Sequence, residues 1–440
     1  MARKKNDPVQ LRSESNLSHD GRGVIKYRDR VYFVEGVLAD EEVVFTPFHK
    51  KRGEYSGRLE EIIEPSPERV EAPCEYFGIC GGCSLQHLAP AAQIRFKALT
   101  LKENLARIGR VEPLSWAEPI QDALWHYRRK GRPGVKYVPK KGGVIVGFRE
   151  KASRYITSLK SCLTLDKKIS DLLPDLHELV GASSIYNRIP QIEVAVADNA
   201  VALVIRHLEP FSPEDLENMR GFAQAHGLQL FLQPGGLNTI HPLYPEQPEA
   251  LFYALSDYAV KLEFLPSDFL QVNARVNERM IARAMEYLQP TPEDAVLDLF
   301  CGLGNFTLPV ATTGAAVMGV EGEPSLVERA MHNARINRVK NVHFSCANLH
   351  QEEAEKGLPA SGYNKLLLDP PRSGAQLIVE SYVPILQPEL IVYVSCNPAT
   401  LARDASTLVH RHGYVLEKAG AIDMFPHTAH VESIAVFKKP

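Results

Sequence analysis

Three short runs hold the residues best suited to chemistry. In the first, Val392-Tyr393-Val394 leads into Ser395-Cys396-Asn397-Pro398. A thiol that closes a β-prone run and opens a loop can stand at the end of a strand and act as a nucleophile. An isolated cysteine elsewhere is usually a small buried hydrophobe, and Cys301 and Cys346 read that way. In the second run, Leu366-Leu367-Leu368 ends in Asp369-Pro370-Pro371-Arg372. This projects a carboxylate from the carboxyl edge of a sheet, where open α/β proteins bind ligands. As bare structure, Pro-Pro would be a rigid turn. In the third, His427-Thr428-Ala429-His430-Val431-Glu432 precedes the apolar Ile434-Ala435-Val436-Phe437. Two histidines and a glutamate suggest a metal site at first sight. Strand alternation instead puts His430 and Glu432 on one side, where Glu432 can serve as a general base.

A fourth run, Val296-Leu297-Asp298-Leu299-Phe300-Cys301-Gly302-Leu303-Gly304-Asn305, reads as a strand, a glycine turn and a helix start. Such a turn brings backbone N–H groups and a helix N-terminus close to a ligand. A dinucleotide site would want a third small residue where Thr307 stands, and Asp298 lies before the glycines. That arrangement suits a ligand with a cationic amino-acid end, S-adenosylmethionine, over NAD. Glu321 ends the next strand, placed for ribose hydroxyls, and Asn348 follows the third strand, within reach of an adenine.

One thiol, one base and one methyl donor are the minimum set for methylating C5 of a uridine. C5 of uracil is a weak nucleophile. Thiolate attack on C6 gives an enolate whose C5 can take a methyl group, and a base must then remove the C5 proton so that the thiolate can leave. Cys396, Glu432 and the 296–348 site supply the set. Methyltransferases acting on exocyclic nitrogens usually carry an aromatic residue where Arg372 stands, which argues against N-methylation.

These groups need a sheet to hold them. From about residue 268, strand and helix patterns alternate: helix 274–288, strand 295–300, helix 305–313, strand 316–321, helix 324–337, strand 341–346, strand 364–369, helix 375–386, strand 389–395 and helix 399–411, with closing strands near 414–422 and 431–438. The alternation argues for a doubly wound α/β sheet. Residues 1–12 read as a mobile tail, and short β-prone runs from Leu17 to Pro65 as a small barrel. Gln93 to Ile108 has helical periodicity, with Ile94, Leu99, Leu101, Leu105 and Ile108 apolar. Between His126 and Lys160 stand eleven Lys or Arg against one acid, Glu150, interleaved with tyrosines. That stretch is a candidate RNA face; as bare structure it is a solvated strand surface.

The 440 residues imply two or three domains, and 45% apolar with 23% charged residues is ordinary for a soluble enzyme. The net charge of -3 gives no hint of nucleic acid; only its local distribution does. No signal peptide or membrane span is legible, and seven cysteines in such a chain point to a reducing, cytoplasmic setting.

Taken in order, Phe269-Leu-Gln271-Val-Asn273, Asp298 to Asn305, Asp369-Pro-Pro-Arg372, Ser395-Cys396-Asn-Pro398 and His427-Thr-Ala-His430-Val-Glu432 resemble the RNA (uracil-C5)-methyltransferase family over nearly the whole chain. The resemblance implies an α/β fold: a Rossmann-like SAM-dependent methyltransferase domain (266–440), an N-terminal OB-type β-barrel of TRAM kind (10–68) and a small α+β central domain (69–265). The helix at about 93–118 is expected to pack on the catalytic domain. It implies Cys396 as nucleophile and Glu432 as base. Gln271, Phe300, Asn305, Glu321, Asn348 and Asp369 match positions that contact cofactor or uridine, with Asp369 open between the two.

Cys74, Cys80 and Cys83, with Cys162, resemble the iron–sulfur site of the branch acting on large-subunit (23S) ribosomal RNA, and Trp125-His-Tyr-Arg-Arg-Lys130 points the same way. Relatives acting on transfer RNA generally lack both barrel and cysteine cluster. From the residues alone, four thiolates fit zinc or a [4Fe-4S] cubane, and the three-then-two cysteine spacing of radical enzymes is absent. The implied substrate is a looped-out or single-stranded uridine of 23S rRNA, with no membrane and no obligate protein partner. Transfer-RNA uridine, DNA cytosine and non-catalytic RNA binding are the alternatives. In DNA enzymes the nucleophile follows proline, whereas Ser395 precedes Cys396.

Overall fold

A computed structural model describes residues 7–49, 53–351 and 358–440. The sheet that positions the chemistry runs, edge to edge, Val342–Cys346, Ala316–Glu321, Ala295–Leu299, Lys365–Leu368, Leu390–Ser395, Glu432–Lys438, Val415–Ile422 and Ser115–Trp116. The first five strands are parallel, and Glu432–Lys438 is antiparallel to both neighbours. Strand order reverses between Ala295–Leu299 and Lys365–Leu368, which opens a crevice at the carboxyl ends of the strands.

Side-chain alternation explains the near-continuous apolar strands. Val296, Leu367, Val392 and Ile434 pack on one face with Val276, Met280 and Ile281 of the helix Ala274–Leu288. Leu297, Leu366, Ile391 and Phe437 pack on the other with Leu401 and Leu408 of the helix Pro398–His410. Strands covered on both faces have no polar side to show, and each fully buried leucine contributes about 2–3 kcal/mol. The expected helix over 375–386 is observed as a π-turn, Ile378–Tyr382, followed by Val383–Leu386. Pro384 supplies no N–H there, which favours the looser turn.

A segment distant in sequence completes this unit. The helix Pro90–Asn104 and the turn Leu105–Gly109 put Leu101 and Leu105 into the second core, and Ser115–Trp116 pairs with Val415–Ile422. Leu99 and Ile108, expected on the apolar face, are 39% and 49% exposed. The buried stripe is instead Ile94, Lys97, Leu101 and Leu105.

The N-terminal sheet, in the order Val9–Arg12, Glu42–His49, Tyr55–Glu64, Arg30–Val34 and Gly23–Tyr27, curls around Ile25, Val34, Val43 and Phe45 as an OB-type barrel. The expected tail over 1–12 is corrected in part. Val9–Arg12 is an edge strand paired with Glu42–His49, and residues 1–6 lie outside the described residues. The central unit is a mixed sheet, centred on Gln191–Val196 and Val201–Arg206, backed by the helices Lys167–Ala182 and Pro213–His226. Among the described residues no helix is long and apolar enough to cross a membrane.

Candidate active site

Parallel strands that end together deliver their last residues to one place. Phe300, Asn305, Glu321, Asn348, Asp369 and Cys396 all line one cavity of about 680 Å³ at the crevice, joined by Gln271 and Glu432. The glycine turn is left-handed at Gly302 (φ 56°) and Gly304 (φ 96°), and also at Phe300 (φ 67°). A side chain in that region is strained and persists only where its surroundings hold it. Here the Phe300 and Cys301 amides are tied to the Val320 carbonyl. Glu321 accepts from the Gly302 amide at 3.0 Å and the Gly322 amide at 2.7 Å, locking turn and strand end together.

Asp298 does not line this cavity. It is buried, accepts from the Thr307 hydroxyl at 2.5 Å, and is pushed up to about 8 by burial. Its place is beneath the turn, not facing a ligand's cationic end as its position suggests. The Asn305 amide is held by the Asn277 amide at 2.9 and 3.0 Å and by the Tyr253 hydroxyl at 2.9 Å. Sequence reasoning missed Tyr253 and Asn277 because neither lies in a glycine- or proline-marked run.

The reacting end is set by ladder register. Ser395 pairs with Ser433 across the antiparallel strands, so one further step sets Cys396 opposite Glu432. Asn397 caps the following helix through the Ala399 amide and donates to the Arg372 carbonyl at 3.0 Å, which ties the Cys396 loop to the Asp369-Pro-Pro-Arg372 loop. Burial, reinforced by Glu432 and Asp369, pushes the half-buried Cys396 thiol up to about 11, against the pull of Arg372. Burial also raises Asp369 to about 7 and, with Asp369 nearby, Glu432 to about 8. Among the described residues Glu432 Oε2 has no hydrogen-bond partner.

His427 is not part of this constellation. Its ring stacks on Trp125 at 3.6 Å, its Nδ1 meets the Gln93 amide at 3.2 Å, and its carbonyl accepts from the Ser84 and Leu85 amides. It anchors the turn that carries His430 and Glu432 onto the cysteine loop.

Cys74, Cys80, Cys83 and Cys162 line a second cavity of about 1070 Å³ with Arg128, Arg149 and Lys151. It meets the first cavity at Phe269, Arg372, Phe425 and His430. Burial raises the thiols of Cys74, Cys80 and Cys83, the last to about 12. Among the described residues no three His, Cys, Asp or Glu stand as a ready metal-ion site. Of the other cysteines, Cys301 is buried as expected, but Cys346 is exposed, because it ends the edge strand of the sheet. The basic stretch is only partly free: Arg129 pairs with Asp198, Lys130 and Arg132 with Glu193, and Lys141 with Glu150.

The family model for tRNA (uracil-5-)-methyltransferases matches residues 252–440. A 23S rRNA (uracil(1939)-C(5))-methyltransferase RlmD from Aromatoleum aromaticum is 48% identical over 96% of this chain and 98% of its own length. The chain belongs to the RNA (uracil-C5)-methyltransferase family, in its 23S rRNA branch. Branch members of the same name from Nitrosococcus oceani and Xanthomonas campestris are each 47% identical, covering 98% and 100% of this chain and 96% and 100% of their own lengths. Among solved structures, the Pyrococcus abyssi tRNA (uracil-54, C5)-methyltransferase in complex with S-adenosyl-L-homocysteine matches 98% of this chain and 100% of its own, with a TM-score of 0.75 at 22% identity. Sequence identity over the full length of the 23S rRNA relatives carries the assignment to that branch; the structural match shows the fold.

Proposed function

We propose that this enzyme transfers a methyl group from S-adenosylmethionine to C5 of one uridine of 23S rRNA, the counterpart of position 1939 in the names of its relatives, giving 5-methyluridine. The observation that carries the reading is the register that sets Cys396 opposite Glu432 in the cavity lined by Phe300, Asn305, Glu321 and Asn348. When bound, S-adenosylmethionine supplies an electrophilic methyl group. Glu321 and Asn348 would hold its nucleoside and Phe300 and Asn305 the walls around it; Gln271 lines the same cavity, and Asp369 can serve either cofactor or uridine. The Cys396 thiolate adds to C6, and the electron pair moves to make C5 nucleophilic. After C5 is methylated, Glu432 takes the C5 proton, the C6–S bond breaks and the thiolate leaves. Both Cys396 and Glu432 work deprotonated, so activity rises with pH through about 8, where Glu432 ionises, and on toward about 11, where the Cys396 thiol does.

Mapping 5-methyluridine in rRNA from a strain lacking this gene tests the substrate. The mark is expected to vanish at that one uridine and to return with the wild-type gene. An unchanged 23S rRNA, or loss from transfer RNA instead, overturns the reading.

For the four cysteines we propose a [4Fe-4S] cluster. Their gathering on one cavity supports a shared four-thiolate site, and the resemblance of their spacing to that branch's iron–sulfur site favours the cubane over zinc. The proposed chemistry at Cys396 needs no electron, so the group would brace the loop whose Ser84 holds the His427 turn. Anaerobically purified protein is expected to be brown with a broad visible absorbance; a colourless protein containing zinc overturns this. Domain limits of 10–68, 69–265 and 266–440, with the helix Pro90–Asn104 and Ser115–Trp116 assigned to the third, and cytoplasmic action complete the proposal.

A further inference from the structure

Lys97 lies at a position of the helix Pro90–Asn104 where an apolar residue belongs, between Ile94 and Leu101, and its side chain is wholly excluded from solvent. Its ammonium donates to Asp423 Oδ1 at 2.5 Å and to the Phe425 carbonyl at 2.9 Å. A buried ion pair is a poor device for stability, since well-packed apolar residues often do better. Its place suggests another use. Asp423 directly follows Ile422, the residue paired across the ladder with Glu432. The pair therefore sits behind the end of the strand from which Glu432 enters the cavity.

The charged and titratable groups around Glu432 come from six elements. Asp369 follows Lys365–Leu368, Asp423 follows the neighbouring strand, and Cys396 follows Leu390–Ser395. Arg372 lies on the Pro-Pro loop, His427 and His430 on the turn before Glu432, and Lys97 on the helix. Asp369 and Asp423 disfavour a charged Glu432, and the two cations favour it. Arg372 is exposed, so water weakens its influence; Lys97 is the buried cation.

We propose that Lys97 is a positioning residue for the base: its ammonium, pinned by Asp423 and the Phe425 carbonyl, favours the ionised form of Glu432 that takes the C5 proton. The proposal rests on the reading of Glu432 as that base.

The test follows release of methylated RNA from the covalent adduct in single turnovers across pH 6–10, using the full chain, S-adenosylmethionine and a 23S rRNA fragment. Removing a nearby cation raises a carboxylate pKa. Lys97→Met is therefore expected to move the acidic limb of the release profile about one pH unit alkaline, a slowing of about tenfold at pH 7. RNA affinity should stay at the wild-type value. Should Lys97→Met fail to fold because Asp423 is left alone, Lys97→Met/Asp423→Asn removes both charges and is expected to show a smaller shift in the same direction. A folded single or double variant whose limb stays at the wild-type pH overturns the proposal. Glu432→Gln run alongside separates the two ideas. If it traps adduct while the Lys97 variants behave as wild type, only the Lys97 role fails. If it releases product normally, the base assignment fails.

Discussion

Replacing Cys396 by alanine is expected to lower methyl transfer by about ten thousand-fold or more while RNA affinity changes by less than about threefold. The size follows from the chemistry. Without a thiolate on C6 there is no enolate, and C5 of a uracil has too little electron density to attack a sulfonium methyl. Among the described residues Cys301 is the other thiol lining the cavity, but it is buried in the glycine turn and burial holds it protonated, so it is not expected to replace Cys396. RNA affinity is expected to survive because Cys396 carries no charge for the phosphate backbone and the cations of the neighbouring cavity are untouched. Tritium transfer from labelled donor, with a filter-binding titration on the same preparation, checks both halves. Turnover within tenfold of wild type would remove Cys396 from the reaction.

The second large effect is expected at Glu432. Glu432→Gln keeps the shape of the buried side chain but cannot accept a proton. Thiolate addition and methylation do not require that carboxylate, so the reaction should run to the methylated adduct and stop. A protein–RNA species stable on a denaturing gel should accumulate, with multiple turnover reduced by about a thousandfold or more. The amide also replaces a carboxyl that is costly to ionise in its buried place, so the fold should tolerate it. Normal turnover with no adduct would send the search for the base to Asp369, the other buried carboxyl of the cavity.

Much of this site was legible from the chain because parallel sheets collect their strand ends. Glu321, Asp369 and Cys396 each end or directly follow an apolar run, and a doubly wound topology brings such ends to one edge. Glu432 was harder to place. It enters on an antiparallel strand, and its position opposite Cys396 depends on a register that no local pattern states. Charge pairing was invisible for a related reason. Arg129, Lys130 and Arg132 find their acids at Asp198 and Glu193, on strands distant in sequence. The edge strand Val9–Arg12 reads as tail from sequence because a four-residue edge offers only Val9 and Leu11 as apolar signal. Lys97 did leave a trace, a lysine on the apolar stripe of a helix. Ile94, Leu101 and Leu105 mark that stripe correctly, while the exposed Leu99 and Ile108 blur its edge and hide Lys97 at its centre.

The central claim is covalent attack by Cys396 on a uridine destined for methylation at C5. RNA carrying 5-fluorouridine at the target tests it with the unaltered protein, because fluorine at C5 leaves Glu432 no proton to remove. After incubation with S-adenosylmethionine and digestion, mass spectrometry should find methylated fluorouridine bonded to the peptide containing Cys396. Quantitative methylation of ordinary RNA by the same preparation, with no such adduct on the fluorinated RNA or with the nucleotide attached elsewhere, would contradict the account.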